Sequence, residues 1–201
     1  MNRRFDRLAA LTTALLFAIP AIASAAPCPV PQTTTPFAQW GDTGNYFSLP
    51  GGNFEAPLAS TGWILDRAER VSGNEPFAVG AATDSSSLVI DGGGVALSPA
   101  FCIDSSMTDL RFFARSLGTN GKLQVRLVLQ TKAGVTTAPF SRVAELTAGS
   151  MPAWAPTGQL ALTESASSPG GRATTARIAF SVSGHGGWQL DDIYVDPYRM
   201  G

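Results

Sequence analysis

Residues 108–140, TDLRFFARSLGTNGKLQVRLVLQTKAGVTTAPF, decide the fold class, because their apolar residues recur every second position and not at the helical spacing. Leu110, Phe112 and Ala114 share one face, and Leu123, Val125, Leu127 and Leu129 share one face of the next run; these faces are expected to be core. The opposite faces carry Asp109, Arg111, Phe113 and Arg115, then Lys122, Gln124, Arg126, Val128 and Gln130. Asn120-Gly121 reads as a hairpin turn, since both residues tolerate positive φ, and Lys132–Gly134 as the next turn. The stretch is therefore expected to be three consecutive antiparallel strands.

The rest of the chain agrees in character. With 21 Gly, 14 Pro and abundant Ser and Thr there is little room for long helices. Further strands are expected at Leu88–Ile90, Val95–Leu97, Leu160–Thr163, Ala176–Ser183 and Trp188–Val195, with Asp91–Gly94 (DGGG) as a turn linking two of them. Many short antiparallel strands between Gly/Pro/Ser turns point to an all-β fold, an antiparallel two-sheet sandwich or jelly roll.

The N-terminus sets the expected compartment. Arg3, Arg4 and Arg7 precede an apolar run from Leu8 to Ile22 that closes in small residues, the pattern of a secretory signal peptide cleaved after Ala25. Residues 26–45 then form a Pro/Thr-rich arm and 46–199 the β-sandwich domain. Removing 1–25 changes the charge count from 14 − 15 to 11 − 14, about −3. No basic cluster remains for nucleic acid or an anionic membrane surface, and no later segment reaches the ~20 apolar residues of a membrane span. A secreted, extracellular monomer is expected. Its two cysteines, Cys28 and Cys102, are expected to form one disulfide that pins the arm to the body.

Residues 186–200, GGWQLDDIYVDPYRM, place two aspartates back to back in a strand of a chain with only 14% charged residues. Strict alternation would put Gln189, Asp191, Ile193 and Val195 on one face and Trp188, Leu190, Asp192 and Tyr194 on the other, so the pair could not serve one site. With Ile193 and Val195 in the core, Asp191 is expected inward, needing a cation or several N–H donors; Asp192 would reach solvent or a loop.

GGNFEAP (51–57), Gly62-Trp63 and WQLDDIYV (188–195) resemble the galactose-binding-like jelly-roll carbohydrate-binding modules. WGDTGNYFSLPGGNFE (40–55), VSGNEPF (71–77), LRFFARSLG (110–118) and WQLDDIYVDPYR (188–199) together resemble a group of uncharacterised secreted bacterial proteins of that fold. In the modules, a glutamate of the first motif and an aspartate of the last strand hold a structural Ca²⁺. The resemblance thus nominates Glu55 and Asp191, with carbonyls from a turn such as Gly80–Asp84. The alternative is that Asp191 accepts backbone N–H bonds or pairs with an arginine.

No hydrolase motif stands out. The single histidine, His185, sits between glycines in a turn, and no G-x-S-x-G elbow is present. Asp91–Gly94 lacks the lysine and helix of a phosphate loop. The outward faces of the first stretch offer a ring among hydrogen-bonding groups, and Arg111, Phe113, Arg115, Gln124 and Arg126 are the candidate ligand-binding residues, against a plain solvated sheet face. Trp40, Trp63, Trp154 and Trp188 are mostly expected to fill the core. The expected function is a non-catalytic binding module for carbohydrate or a cell-wall polymer; the alternatives are a structural or adhesive envelope protein without a small ligand, then a glycan hydrolase.

Overall fold

The computed structural model describes residues 28–29, 31–104, 106–130, 141–162 and 174–196. The signal-peptide reading, the Lys132–Gly134 turn and Thr163 lie outside them. Among the described residues are eleven strands: β1 Phe47–Ser48, β2 Ile64–Ser72, β3 Ser86–Leu97, β4 Phe101–Ile103, β5 Asp109–Ser116, β6 Lys122–Gln130, β7 Ser141–Thr147, β8 Ala155–Pro156, β9 Leu160–Ala161, β10 Thr174–Ser183 and β11 Trp188–Asp196. All pairings are antiparallel and run in the order β7-β6-β10-β3-β11-β5-β8. No helix among these residues is long and apolar enough to cross a membrane.

The continuous ladder becomes a sandwich by folding at β3. Leu88–Ile90 of this strand pair with β11, whereas Val95–Leu97 pair with β10. Between them lies Asp91–Gly94. DGGG is therefore not a turn between two strands but the bend inside one. A Cβ on Gly94 would stand 2.5 Å from the Arg67 carbonyl oxygen, and one on Gly92 2.4 Å from that of Gly184; Gly93 has φ +80°. Only glycine admits the close approaches and the left-handed backbone together. Facing the bend, β2 carries an irregularity between Asp66 and Ala68, with Arg67 at φ +51°, and the β2–β3 ribbon passes from one layer to the other.

The core between the layers is built as alternation requires. β5 contributes Leu110, Phe112 and Ala114, β6 contributes Leu123, Val125 and Leu127, and Phe112 meets Phe180 of β10 edge to face with centroids 5.3 Å apart. Those core faces were legible; the partners were not. β5 pairs with β11, β8 and β9, and β6 with β10 and β7, so the two lie in opposite layers and Asn120-Gly121 is no hairpin. Neither residue has positive φ. Instead this connection packs against the 183–187 loop, where a Cβ on Gly186 would come within 2.4 Å of the Asn120 carbonyl oxygen.

The arm covers the other face of β5. Thr34 and Tyr46 bridge through two backbone hydrogen bonds of 2.9 and 2.8 Å. Phe37 is fully buried, stacked on Phe113 at 5.5 Å and edge-on to Tyr46 and Tyr194. The Cys28–Cys102 disulfide ties the start of the arm to β4. Trp63 and Trp188 are core residues, while Trp40 and Trp154 are only partly buried against the arm-side cluster.

Candidate functional site

In β11 the alternation breaks at the two aspartates. Asp191 pairs with Phe113 and Tyr194 with Arg111, so three steps along β11 match two along β5. This is a β-bulge, and Asp192 occupies it with φ +45°, a backbone state that aspartate tolerates better than most residues. The extra residue reverses the parity of the strand. Trp188 and Leu190 face the main core before the bulge, and Ile193 and Val195 face it after. Asp191 does not share the inward face of Ile193, and Asp192 reaches a loop, through Gly80, and not solvent. Both carboxylates lie on the arm side of the sheet, 0% and 1% exposed, beneath the loop joining β2 to β3.

Carboxylates organise that loop. Glu75 accepts N–H bonds from Phe77 and, at 2.8 Å, Val79, while its own N–H donates to Asp191 Oδ2 at 3.1 Å. Asp191 Oδ1 accepts the Asp192 N–H at 2.9 Å. Gly80 N–H donates to Asp192 Oδ2 at 3.2 Å, and Ala81 N–H to Asp84 Oδ2 at 3.0 Å. Glu55 Oε1 accepts from Ser85 and Ser86 at 2.8 and 2.7 Å. The two carboxylates nominated for calcium are thus both engaged by backbone N–H donors. The one left incomplete is Asp192, whose Oδ1 is buried without a partner. A Cβ on Gly80 would lie 2.5 Å from Asp84 Oδ2 and 3.1 Å from Asp192 Oδ1, so both oxygens converge beside this glycine.

Burial and the charges of neighbouring carboxylates mark these groups electrostatically. Desolvation, then the charge of Asp192, pushes Asp191 up to about 9. Desolvation, then the charges of Glu75 and Asp84, pushes Asp192 up to about 7. Asp84 is raised as well, by burial and by Glu55. Such shifts accompany functional sites as well as uncompensated burial.

Above the bulge opens a cleft of about 510 Å³. Its walls are Gln32, Thr34 and Thr35 of the arm on one side and Val79–Ala81 with Asp84 on the other; Asp192, Tyr46 and Tyr194 line it from beneath. Sequence alternation could not find this site, because it needs the bulge and the docked arm together. A second cavity of similar volume lies at the far end, lined by Lys122, Thr147 and the exposed His185 among others.

The five residues expected to form a sugar groove are not brought together. Phe113 is 0% exposed under Phe37 and Trp40. Arg111, 7% exposed, pairs with Asp42, donates to the Thr157 carbonyl at 3.0 and 2.7 Å and lies 4.0 Å over the Phe37 ring. Arg115 donates to Gln189 at 2.8 Å and faces Trp154. Gln124 and Arg126 sit in the other layer, bonded to each other at 2.8 Å. The outward faces of β5 and β6 form no common groove, because the strands belong to different layers and the arm seals one of them.

No family model matches the chain, and no curated protein does. Among solved structures, several carbohydrate-binding modules are similar to it. The CBM22-1 and GH10 modules of Clostridium thermocellum xylanase 10B, complexed with xylohexaose, align at 11% identity over 77% of this chain and 29% of that one, with a TM-score of 0.49. The C-terminal CBM6 of the LamC laminarinase from Zobellia galactanivorans aligns at 15% identity over 76% and 99%, with a TM-score of 0.45. The CBM61 module bound to β-1,4-galactotriose aligns at 7% over 74% and 96%, with a TM-score of 0.42. The chain also spans about a fifth of a bacteriophage CBA120 tailspike domain (21%). The protein is an antiparallel β-sandwich on the strand pairing above.

Proposed function

We propose that the chain is a secreted, non-catalytic binding module whose ligand is a carbohydrate, held in the cleft over the Asp191–Asp192 bulge. The observation that carries this reading is the lining of the cleft, where the hydroxyl, amide and carboxylate groups of Thr34, Thr35, Gln32, Asn53 and Asp84 stand beside the apolar side chains of Pro36, Val79 and Ala81, over the buried Tyr46 and Tyr194. That mixture suits a polyol, which needs many polar partners over an apolar wall. The motifs shared with carbohydrate-binding modules support the ligand class, and the disulfide suits an oxidising compartment. Hydrolysis has less in its favour: a glycosidase sets two carboxyls on either side of the bond, whereas the oxygens of Asp84 and Asp192 converge on one wall beside Gly80.

Calcium belongs to the same proposal, on different residues from those the resemblance nominates. The unpartnered Oδ1 of Asp192 and the carboxylate of Asp84 are hard oxygen donors that fit a Ca²⁺ ion, with loop carbonyls to complete its shell. Bound there, the ion would neutralise the buried charges. Glu55 and Asp191 would hold the surrounding loop through their N–H bonds.

Calorimetric titration against soluble plant and bacterial cell-wall glycans, in calcium and in chelator, tests both statements. Saturable binding without release of reducing ends is expected. Removing an ion present at a hundredfold over its Kd should cost about 2.7 kcal/mol and lower the melting temperature. No binding to any glycan would contradict the carbohydrate reading, and identical melting in calcium and chelator would contradict the metal.

A further inference from the structure

Two arginines lie on the arm-side face of β5, and their surroundings differ. Arg111 is closed: Asp42 neutralises it, and the Thr157 carbonyl takes two of its N–H groups. Arg115, half-buried, has no carboxylate partner among the described residues. Its Nε donates to Gln189 Oε1 at 2.8 Å. That amide is 3% exposed and held in one orientation, because its Nε2 donates to Ser87 Oγ at 2.6 Å and Ser87 Oγ donates to the Gly73 carbonyl. The two Nη groups of Arg115 have no hydrogen-bond partner among the described residues, and they are not sealed from solvent. A guanidinium carries its donors in a rigid fork, so the amide that holds Nε also fixes the direction of the open Nη edge.

Aromatic rings flank that edge. Trp154, which leads into β8 where it pairs with Ala114 and Phe113, faces the guanidinium at 5.3 Å. Two residues along the same face of β5, about 7 Å away, Trp40 and Phe77 meet edge to face at 5.0 Å over Phe113. Phe77 is 37% exposed, and both tryptophans are only partly buried. None of Arg115, Trp154, Trp40 and Phe77 lines the cleft over the bulge. We propose that these four residues form a second binding site, for a uronic acid sugar, with Nη1 and Nη2 of Arg115 donating to its carboxylate and the apolar side of the sugar ring against the aromatic side chains. The Nη edge offers two parallel N–H donors to one planar carboxylate. One unpaired cation also matches one negative charge, where a phosphate monoester would bring about two. Neither argument depends on a sugar in the cleft.

The test is calorimetric titration in neutral, calcium-free buffer at ~0.15 M salt, where unspecific surface attraction is largely screened. It compares an oligogalacturonate with the same oligomer fully methyl-esterified, which keeps the rings and linkages and loses the charge. The acid should bind about tenfold tighter than the ester. Arg115→Gln should erase the preference. Arg115→Lys, which keeps the charge and the apolar stem but not the fork, should retain part of it and guards against a folding defect in the first variant. Lys122→Gln, which removes an exposed cation in the other layer, should leave the preference intact. Equal affinity for acid and ester, a preference that survives Arg115→Gln, or its loss in Lys122→Gln as well overturns the site. A sulfated oligomer without carboxylates that binds as tightly as the acid overturns the assignment to uronate. Neutral glycans titrated alongside report on the cleft separately: their failure to bind contradicts a sugar there and leaves the Arg115 site standing.

Discussion

One inserted residue in β11 explains why two aspartates stand side by side in an otherwise apolar strand. Without the bulge, one of them would be driven into the main core between Leu190 and Ile193; with it, both turn toward the loop that supplies their N–H donors. The DD pair could be read from the sequence as anomalous. Its geometry could not, because alternation is a property of a regular ladder and gives no warning of the extra residue that resets it. Phe113 taught the same lesson from the other direction. Its position opposite Phe112 was legible, yet opposite the core does not mean exposed when an arm lies over that face. Phe113→Ala should therefore destabilise by about 3–5 kcal/mol, as Phe112→Ala should. Urea unfolding of the two variants measures this, and a loss below about 1 kcal/mol at Phe113 would show that the arm does not seal it.

At the scale of elements, the strands were more legible than their connections. Period-two patterning located β5, β6, β10 and β11 and chose the right core faces for β5 and β6. The Asn-Gly signal then misled, since a dipeptide suited to a tight turn is also small enough to let two loops interlock, here against Gly184 and Gly186. The arm was legible only as a tethered segment; what latches it is Asp42, which binds Arg111, accepts the Tyr46 hydroxyl at 2.7 Å and takes the Gly44 N–H at 2.9 Å. Burial pushes the Asp42 carboxyl up, but the bonds from Tyr46, Gly44 and Arg111 outweigh it and hold it below the ordinary value of 3.8. A depressed carboxylate stabilises the fold above its unfolded pKa, and the contribution is lost as pH falls through the lower, folded value. The arm should accordingly become protease-sensitive in the wild type as the pH drops below about 4, and Asp42→Asn should show the same sensitivity already at neutral pH. An arm equally protected in both, at both pH values, would remove Asp42 as the latch.

For the whole molecule, the fold places the proposed binding cleft at a junction. The β3 bend closes the sandwich, the disulfide ties the start of the arm to β4 and Asp42 holds the arm on β5, and the bulge in β11 turns its aspartates toward the gap that arm and loop leave between them. Composition and pattern were enough to give a sandwich; the cleft emerged only from contacts between segments more than a hundred residues apart, as between Gly80 and Asp192. The most direct measurement is a crystal structure of the protein with the tightest-binding oligosaccharide. Sugar density between Thr34, Thr35 and Tyr194 is the predicted result. Sugar on the β6 face beside Gln124 and Arg126, or in the far cavity beside His185, with the cleft over the bulge empty, would contradict it.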